Sequence, residues 1–201
     1  MPASEPLDNR LFILILQHPQ ERREALGTAM AACRALRRAE LAVGLSWPNL
    51  SHALGRPAVP RRWAVLYLGS AHPAEWGIDR EIVALDRDGT PLADQERGLR
   101  GLDGAVVLDG SWKEAKTLWW RNPWLTKLRR LVINPATPSR YIRREPRRAA
   151  LSTLEAVTLL LAHLGGQPEL APSLLAELDR RPEEAVPVRR APRGRAPAPT
   201  R

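Results

Sequence analysis

Leu11-Phe12-Ile13-Leu14-Ile15-Leu16 is an unbroken apolar run, closed by Arg10 before it and by Gln17-His18-Pro19 after it. Six apolar residues without alternation suit a strand buried on both faces, as in a parallel sheet covered by helices on each side. A helix should follow such a strand. From about 21 to 38, Ala25, Ala29, Ala32 and Leu36 recur at helical spacing, and Arg37 and Arg38 fall in the last turn, where cations suit the helix dipole. Working outward, strands are predicted at 63–68, 82–85, 105–108 and 131–133. Gly69-Ser70-Ala71-His72-Pro73 reads as a loop, and Asp86-Arg87-Asp88-Gly89 as a turn.

Helical spacing returns at Trp112, Ala115 and Trp119, and again over 153–164. The second of these has both its ends marked. Ser152-Thr153-Leu154-Glu155 is a capping box, and Gly165-Gly166 can supply a left-handed C-cap. Strands alternating with helices give an α/β layer structure with a mostly parallel sheet flanked by helices. At 201 residues and 44% apolar composition, the chain is long enough for one good core plus an extension. The expected organisation is an N-terminal extension at 1–10, a single domain at 11–185 and a Pro/Arg-rich tail at 186–201. The tail has no large apolar side chain after Val188 and is expected to be disordered. No internal repeat is visible.

Lys and Arg number 31 against 22 Asp and Glu, a net charge of +9 that favours a polyanionic partner. Five of those charges are the tail arginines. Most of the remaining excess lies between Arg121 and Arg148, where nine basic residues, among them Arg140, Arg143, Arg144, Arg147 and Arg148, face the single acid Glu145. With Trp119, Trp120 and Trp124 just upstream, this stretch fits an RNA surface that tracks phosphates and offers aromatic platforms; the alternative is a solvated loop beside core tryptophans. The lone Cys33 allows neither an internal disulfide nor a thiolate zinc cage. No apolar run reaches the roughly 20 residues needed to span a bilayer, so a cytoplasmic protein without membrane contact is expected.

Ala105-Val106-Val107-Leu108 leads into Asp109-Gly110-Ser111-Trp112, placing a carboxylate at the end of a strand just before a helix. Ligands of open α/β sheets bind in this crevice. Asp109 or Ser111 would equally serve as an ordinary helix cap, and Trp112 as core. His18, at the exit of the first strand, reads as a hydrogen-bonded structural residue. It makes no metal spacing with His52, His72 or His163, and no metal is expected. Glycine-rich dinucleotide and P-loop phosphate signatures are both absent from the sequence.

In chain order, Leu16-Gln-His-Pro-Gln-Glu21, Gly27-Thr28, Leu66-Tyr-Leu-Gly-Ser70, Leu108-Asp-Gly-Ser-Trp112-x-x-Ala115-Lys116, Arg144-Glu-Pro146 and Leu151-Ser-Thr-Leu-Glu-Ala156 resemble the DTW-domain family. The resemblance runs from about 11 to 165 and depends on several motifs in order. It departs from the family at Ser111, where Thr is usual, at Gly69, where many relatives have Pro, and in lacking an N-terminal cysteine cluster.

The resemblance implies a SPOUT-like domain with a C-terminal trefoil knot and a tRNA-uridine aminocarboxypropyltransferase using S-adenosylmethionine as co-substrate, with tRNA as partner and no obligatory protein partner evident. It further implies that the uridine ring nitrogen between the two carbonyls attacks the γ-carbon of the methionine moiety, and methylthioadenosine leaves. On this reading Asp109 accepts the nitrogen's proton or orients the base. The donor pocket would draw on Leu68, Gly69 and Ser70, on Leu108, Gly110, Ser111 and Trp112, and on Ser152 and Thr153, whose helix N-terminus suits a carboxylate. Trp112 would pack on the adenine, the sulfonium or the target base. Two readings compete with this one, a knotted RNA methyltransferase with the same donor and a non-catalytic RNA-binding module.

Overall fold

The computed structural model describes residues 5–20, 27–67, 75–134 and 152–177, together with the backbone of 188–190. The apolar run forms β1 (Phe12–Gln17), followed by α1 (Thr28–Ala35), β2 (Ala39–Val43), α2 (Leu50–Leu54), β3 (Trp63–Leu66), β4 (Ile82–Leu85) and α3 (Gln95–Leu99). Next come β5 (Gly104–Asp109), α4 (Trp112–Arg121), β6 (Arg129–Ile133), α5 (Thr153–His163), α6 (Ala171–Ala176) and β7 (Val188–Arg190). Among the described residues the strands form one seven-stranded sheet in the order β4-β6-β3-β5-β1-β2-β7. Among the paired strands of the described residues only β4–β6 is antiparallel, so the sheet is mostly parallel, as expected from the sequence.

The period of two in a strand divides the core into two layers. Ile13, Ile15, Ala64, Ala105, Val107 and Leu131 face α1, α5 and α6, burying Ala32, Leu154, Leu160 and Leu174. Leu14, Leu16, Trp63, Val65 and Val106 face the opposite way, against Leu50 and Leu54 of α2, Leu118 of α4 and Leu125. Both faces of β1 are therefore covered, which is why its sequence does not alternate. Each fully buried leucine or isoleucine contributes about 1.5–3 kcal/mol relative to exposure. Buried Asn122 fixes the end of α4: its Nδ2 donates to the Leu118 and Leu45 carbonyls at 2.8 and 3.0 Å, and its Oδ1 accepts the Trp47 amide at 2.8 Å.

Several sequence expectations need correction. The helix expected over 21–38 ends at Ala35, with Arg34 rather than Arg37 and Arg38 in its last turn; its start at 21–26 lies outside the described residues. The reason is β2, which the sequence reading missed. Ala39-Glu40-Leu41-Ala42-Val43 has the composition of a helix, yet pairing with β1 sends Leu41 and Val43 to one core layer and Ala42 to the other. In the stretch 186–201, expected to lack structure, 188–190 instead forms β7, in parallel register with β2. Backbone pairing along the open edge of β2 requires no apolar side chain. The knot depends on the path of segments outside the described residues, 135–151 among them.

The expected helix ends hold. Ser152 Oγ accepts the Glu155 amide at 3.2 Å while Glu155 Oε2 accepts the Ser152 amide at 2.8 Å. After α5, Gly166 takes φ +60, and the Gln167 amide returns to the Leu161 carbonyl at 3.1 Å.

Candidate active site

β1 connects through α1 to β2 on one side of it, whereas β5 connects through α4 to β6 on the other side. The chain direction therefore diverges between β1 and β5, and ligands of such sheets bind at the carboxyl ends of the strands on either side of that point. Gln17 ends β1 and Asp109 ends β5, in register with each other. Helices α1 and α4 follow strands of a parallel sheet and start at this same edge, as does α5, whose first residue touches Asp109. The N-terminus of α5, the positive end of its dipole, thus meets the Asp109 carboxylate, and α4 starts three residues beyond it.

Asp109 is 2% exposed. Its Oδ2 accepts from Gln17 Nε2 at 2.9 Å, its Oδ1 accepts a short hydrogen bond from the Thr153 hydroxyl, and its carbonyl accepts the His18 amide at 3.1 Å. One residue thereby ties together β1, β5 and α5. On α1, burial first, and then the charges of Asp109 and Glu40, push the Cys33 thiol up to about 12. A thiol so placed is not a nucleophile at neutral pH.

Gly110 takes φ +148, and a side chain there would start 2.9 Å from Glu114 Cβ and 3.5 Å from His18 Cβ. The glycine lets the chain leave β5 and pass between these two residues. Ser111 then begins α4, its amide and hydroxyl both donating to Glu114 Oε2 at 2.8 and 2.7 Å. The other Glu114 oxygen lies 3.2 Å from His18 Nδ1, which also lies 3.3 Å from the Gln20 amide. One ring nitrogen cannot donate to the first and accept from the second at once, so the proton on Nδ1 selects between these contacts. His18 is thus hydrogen-bonded within the turn that leaves β1.

Trp112 is 36% exposed at the start of α4. Its ring lies nearly parallel to Tyr67 with centroids 6.3 Å apart, and Tyr67 stacks in turn on Trp119 at 4.3 Å. Arg130 completes the stack, its Nε donating to the Tyr67 carbonyl at 3.0 Å and its guanidinium carbon lying 5.6 Å from the Tyr67 centroid. Burial raises the Tyr67 hydroxyl above its ordinary range, an effect that Arg130 opposes. Trp124, by contrast, is core, with its indole nitrogen donating to the Trp47 carbonyl at 3.0 Å.

Of the residues expected to form the donor pocket, Leu108, Gly110, Ser111 and Trp112 lie within three residues of Asp109 along the chain, and the Thr153 hydroxyl brings the start of α5, with Ser152, to its carboxylate. Leu68, Gly69 and Ser70 lie outside the described residues, as do Arg140, Arg143, Arg144, Arg147 and Arg148. Gln17, Thr28 and Tyr67 belong to the family-like motifs, but sequence reasoning assigns them no role. Thr28 opens α1 at 4% exposure, and its hydroxyl has no hydrogen-bond partner among the described residues. Tyr67 could have been inferred, since Trp112 and Trp119, seven residues apart on one helix, share a face. A separate cleft of about 720 Å³ includes Arg80, Glu81, Glu96 and His163. There Arg80 pairs with Glu96 at 2.9 Å and His163 Nε2 lies 2.6 Å from Glu81 Oε2, and the cleft contains none of the partners of Asp109.

The family model for the DTW domain matches residues 2–183. The chain belongs to the DTW-domain family. One relative, the tRNA-uridine aminocarboxypropyltransferase 2 of Drosophila melanogaster, is 32% identical over 171 residues, 83% of this chain and 61% of that protein. A second, the tRNA-uridine aminocarboxypropyltransferase 2 of Macaca fascicularis, is 26% identical over 186 residues, 89% of this chain and 55% of that protein. This DTW chain therefore spans less than two thirds of the length of these relatives. No solved structure matches it significantly. Within the DTW family signature, Asp109-Gly110-Ser111-Trp112 is the segment whose four residues respectively tie three elements together, permit the turn, start α4 and enter the aromatic stack.

Proposed function

We propose that the chain transfers the 3-amino-3-carboxypropyl group of S-adenosylmethionine to a uridine of tRNA, with Asp109 receiving or steering the proton of the attacked ring. The observation that carries this reading is Asp109 itself. The acid of the family-like motif ends β5 at the edge of the sheet where ligands of such folds bind, held on both oxygens, in a chain whose relatives bear the name of that activity.

S-adenosylmethionine supplies an electrophilic carbon beside a sulfonium: the nitrogen–carbon bond forms as the carbon–sulfur bond breaks, and its electron pair makes methylthioadenosine neutral. The chain's own task is to place that carbon and to accept a proton. Each Asp109 oxygen uses one lone pair on Gln17 or Thr153 and retains another for the ring N–H. Because Gln17 and Thr153 fix the carboxylate plane, the acceptor direction is set before substrate arrives, which is how positioning contributes to rate.

The donor's carboxylate is an anion, and the N-termini of α1 and α5 are suited to receive it. The buried, unpartnered hydroxyl of Thr28 supports a polar ligand at the α1 end. Trp112, 36% exposed at the start of α4, is the aromatic side chain that would meet a planar ring. The same reading includes a SPOUT-like topology with a C-terminal knot, supported by the return of α5 to the carboxyl end of β5 after β6. Residues 140–148 add the arginines that would follow the RNA backbone.

The test is product analysis of the full chain with tRNA and S-adenosylmethionine. Methylthioadenosine and an aminocarboxypropyl nucleoside are the expected products. Adenosylhomocysteine would assign methyl transfer instead, and absence of donor binding by calorimetry would leave an RNA-binding module. Asp109→Asn should abolish methylthioadenosine release while donor binding remains measurable; near-normal turnover rules out the role given to Asp109.

A further inference from the structure

The aromatic stack leads away from Asp109 to a second surface. Trp112 and Trp119 are seven positions apart on α4, two helical turns or about 10 Å. At the Trp119 end lies a cleft of about 540 Å³, lined among others by Asp86, Arg87, Trp119, Thr126, Lys127 and Arg130. Arg87 and Lys127 are exposed, and the Arg130 guanidinium is held 6.0 Å from the Trp119 centroid. The acid of the cleft is committed to its own turn: Asp86 Oδ1 accepts the Asp88 and Thr90 amides at 3.0 and 2.9 Å, and Oδ2 the Thr90 hydroxyl at 2.6 Å. Three cations and an indole therefore line the cleft against one internally bonded carboxylate. Trp120, the next residue of α4, is 70% exposed.

We infer that this cleft holds a nucleotide of the RNA substrate flanking the modified uridine, with its phosphate between Arg87 and Lys127 and its base against the side of the Trp119 indole away from Tyr67. The inference rests on the proposed tRNA reading and adds to it a docking site that the catalytic crevice does not contain. Cations beside a partly exposed indole match an unpaired nucleotide, which brings charge and a flat face together. An acidic peptide would satisfy the cations but leave the indole without a planar partner. A strand delivering its uridine to Asp109 would then pass Trp112 and reach the cleft within a few residues.

The experiment compares the full chain with Arg87→Glu/Lys127→Glu, and with Arg37→Glu/Arg100→Glu as a control of equal charge change at exposed sites after α1 and α3. Binding of an unmodified tRNA transcript is followed by fluorescence anisotropy across a salt series, and S-adenosylmethionine binding by calorimetry. The cleft variant should bind tRNA at least about tenfold more weakly, with the log–log salt slope reduced by about one for each phosphate that is no longer neutralised. Donor affinity should be unchanged and the control should weaken much less. Equal weakening in the two variants, or an unchanged tRNA affinity in the cleft variant, overturns the inference. An acidic protein partner would give the second of these results. If the unaltered chain binds the donor but no tRNA, the tRNA reading fails and the cleft assignment fails with it.

Discussion

The hydroxyl of Thr153 donates to the carboxylate of Asp109, joining residues 44 positions apart at the start of α5 and the end of β5. This bond fixes the carboxylate on the side opposite Gln17. Thr153→Val keeps the shape of the side chain and removes the donor, leaving a buried acceptor short of one partner. Stability in urea should fall by about 1.5–3 kcal/mol, the range for hydrogen bonds to charged groups. On the proposed reaction, methylthioadenosine release should fall at least tenfold through kcat rather than KM, and Thr153→Ser should recover most of both losses. A Val variant with unaltered kcat would show that Asp109 needs no positioning from α5.

Gly110 is the residue that only glycine fits in this turn. At φ +148 a side chain is strained, and its Cβ would press on Glu114, whose Oε2 holds the amide and hydroxyl of Ser111. Gly110→Ala is expected to cost about 1–3 kcal/mol and to lower the melting temperature by several degrees. The displacement would also break the cap of α4 and shift Trp112, so activity should fall further than the stability loss explains. Thermal melts beside product assays separate the two effects, and a variant melting with wild type would remove the argument for close approach.

The unbroken run ending at Leu16 was enough to place β1 between two helical layers, because continuous hydrophobicity has one good solution in a parallel sheet. Ser152-Thr153-Leu154-Glu155 was legible for a similar reason, since both halves of a capping box lie within one turn. β2 was not legible. Nothing local in Ala39-Glu40-Leu41-Ala42-Val43 separates a strand from a helix, and the choice is made by β1 alongside it. The partners of Asp109 were hidden in the same way, as Gln17 and Thr153 come from distant parts of the chain that only the sheet brings together. Tyr67 sits two residues beyond Val65 on the same sheet face, which a reading of strand parity alongside the spacing of Trp112 and Trp119 would have found.

Cys33 gives a pH dependence whose sign is fixed. Burial and neighbouring negative charge raise its thiol from the usual 9.0 to about 12, so above pH 9 the unfolded chain loses this proton while the folded chain keeps it. Its stabilising contribution is complete below pH 9 and is lost as pH rises toward 12, at about 1.4 kcal/mol per pH unit. Urea unfolding at pH 8, 9 and 10 should show a steeper decline for the native sequence than for Cys33→Ala, which cannot release the proton. Parallel declines would place the thiol in a more polar site. Alkylation at pH 8 should likewise be slow in the folded protein and rapid in urea.

Trp112 is the signature residue whose role stability and kinetics can divide between packing and binding. Its stacking on Tyr67, at 6.3 Å between centroids, belongs to a class worth about 0.5–1.5 kcal/mol, and 36% of the residue remains exposed. Packing alone therefore predicts a modest loss for Trp112→Ala and a smaller one for Trp112→Phe. A platform for a planar ring predicts more. KM for S-adenosylmethionine should rise at least tenfold in Trp112→Ala if the indole carries the adenine, and KM for tRNA should rise instead if it carries the target base. Phe should lie between, because it keeps a smaller aromatic face. Steady-state kinetics with each substrate varied in turn distinguishes these outcomes. A stability loss with both KM values unchanged would return Trp112 to the core, leaving substrate binding to the helix N-termini around Asp109.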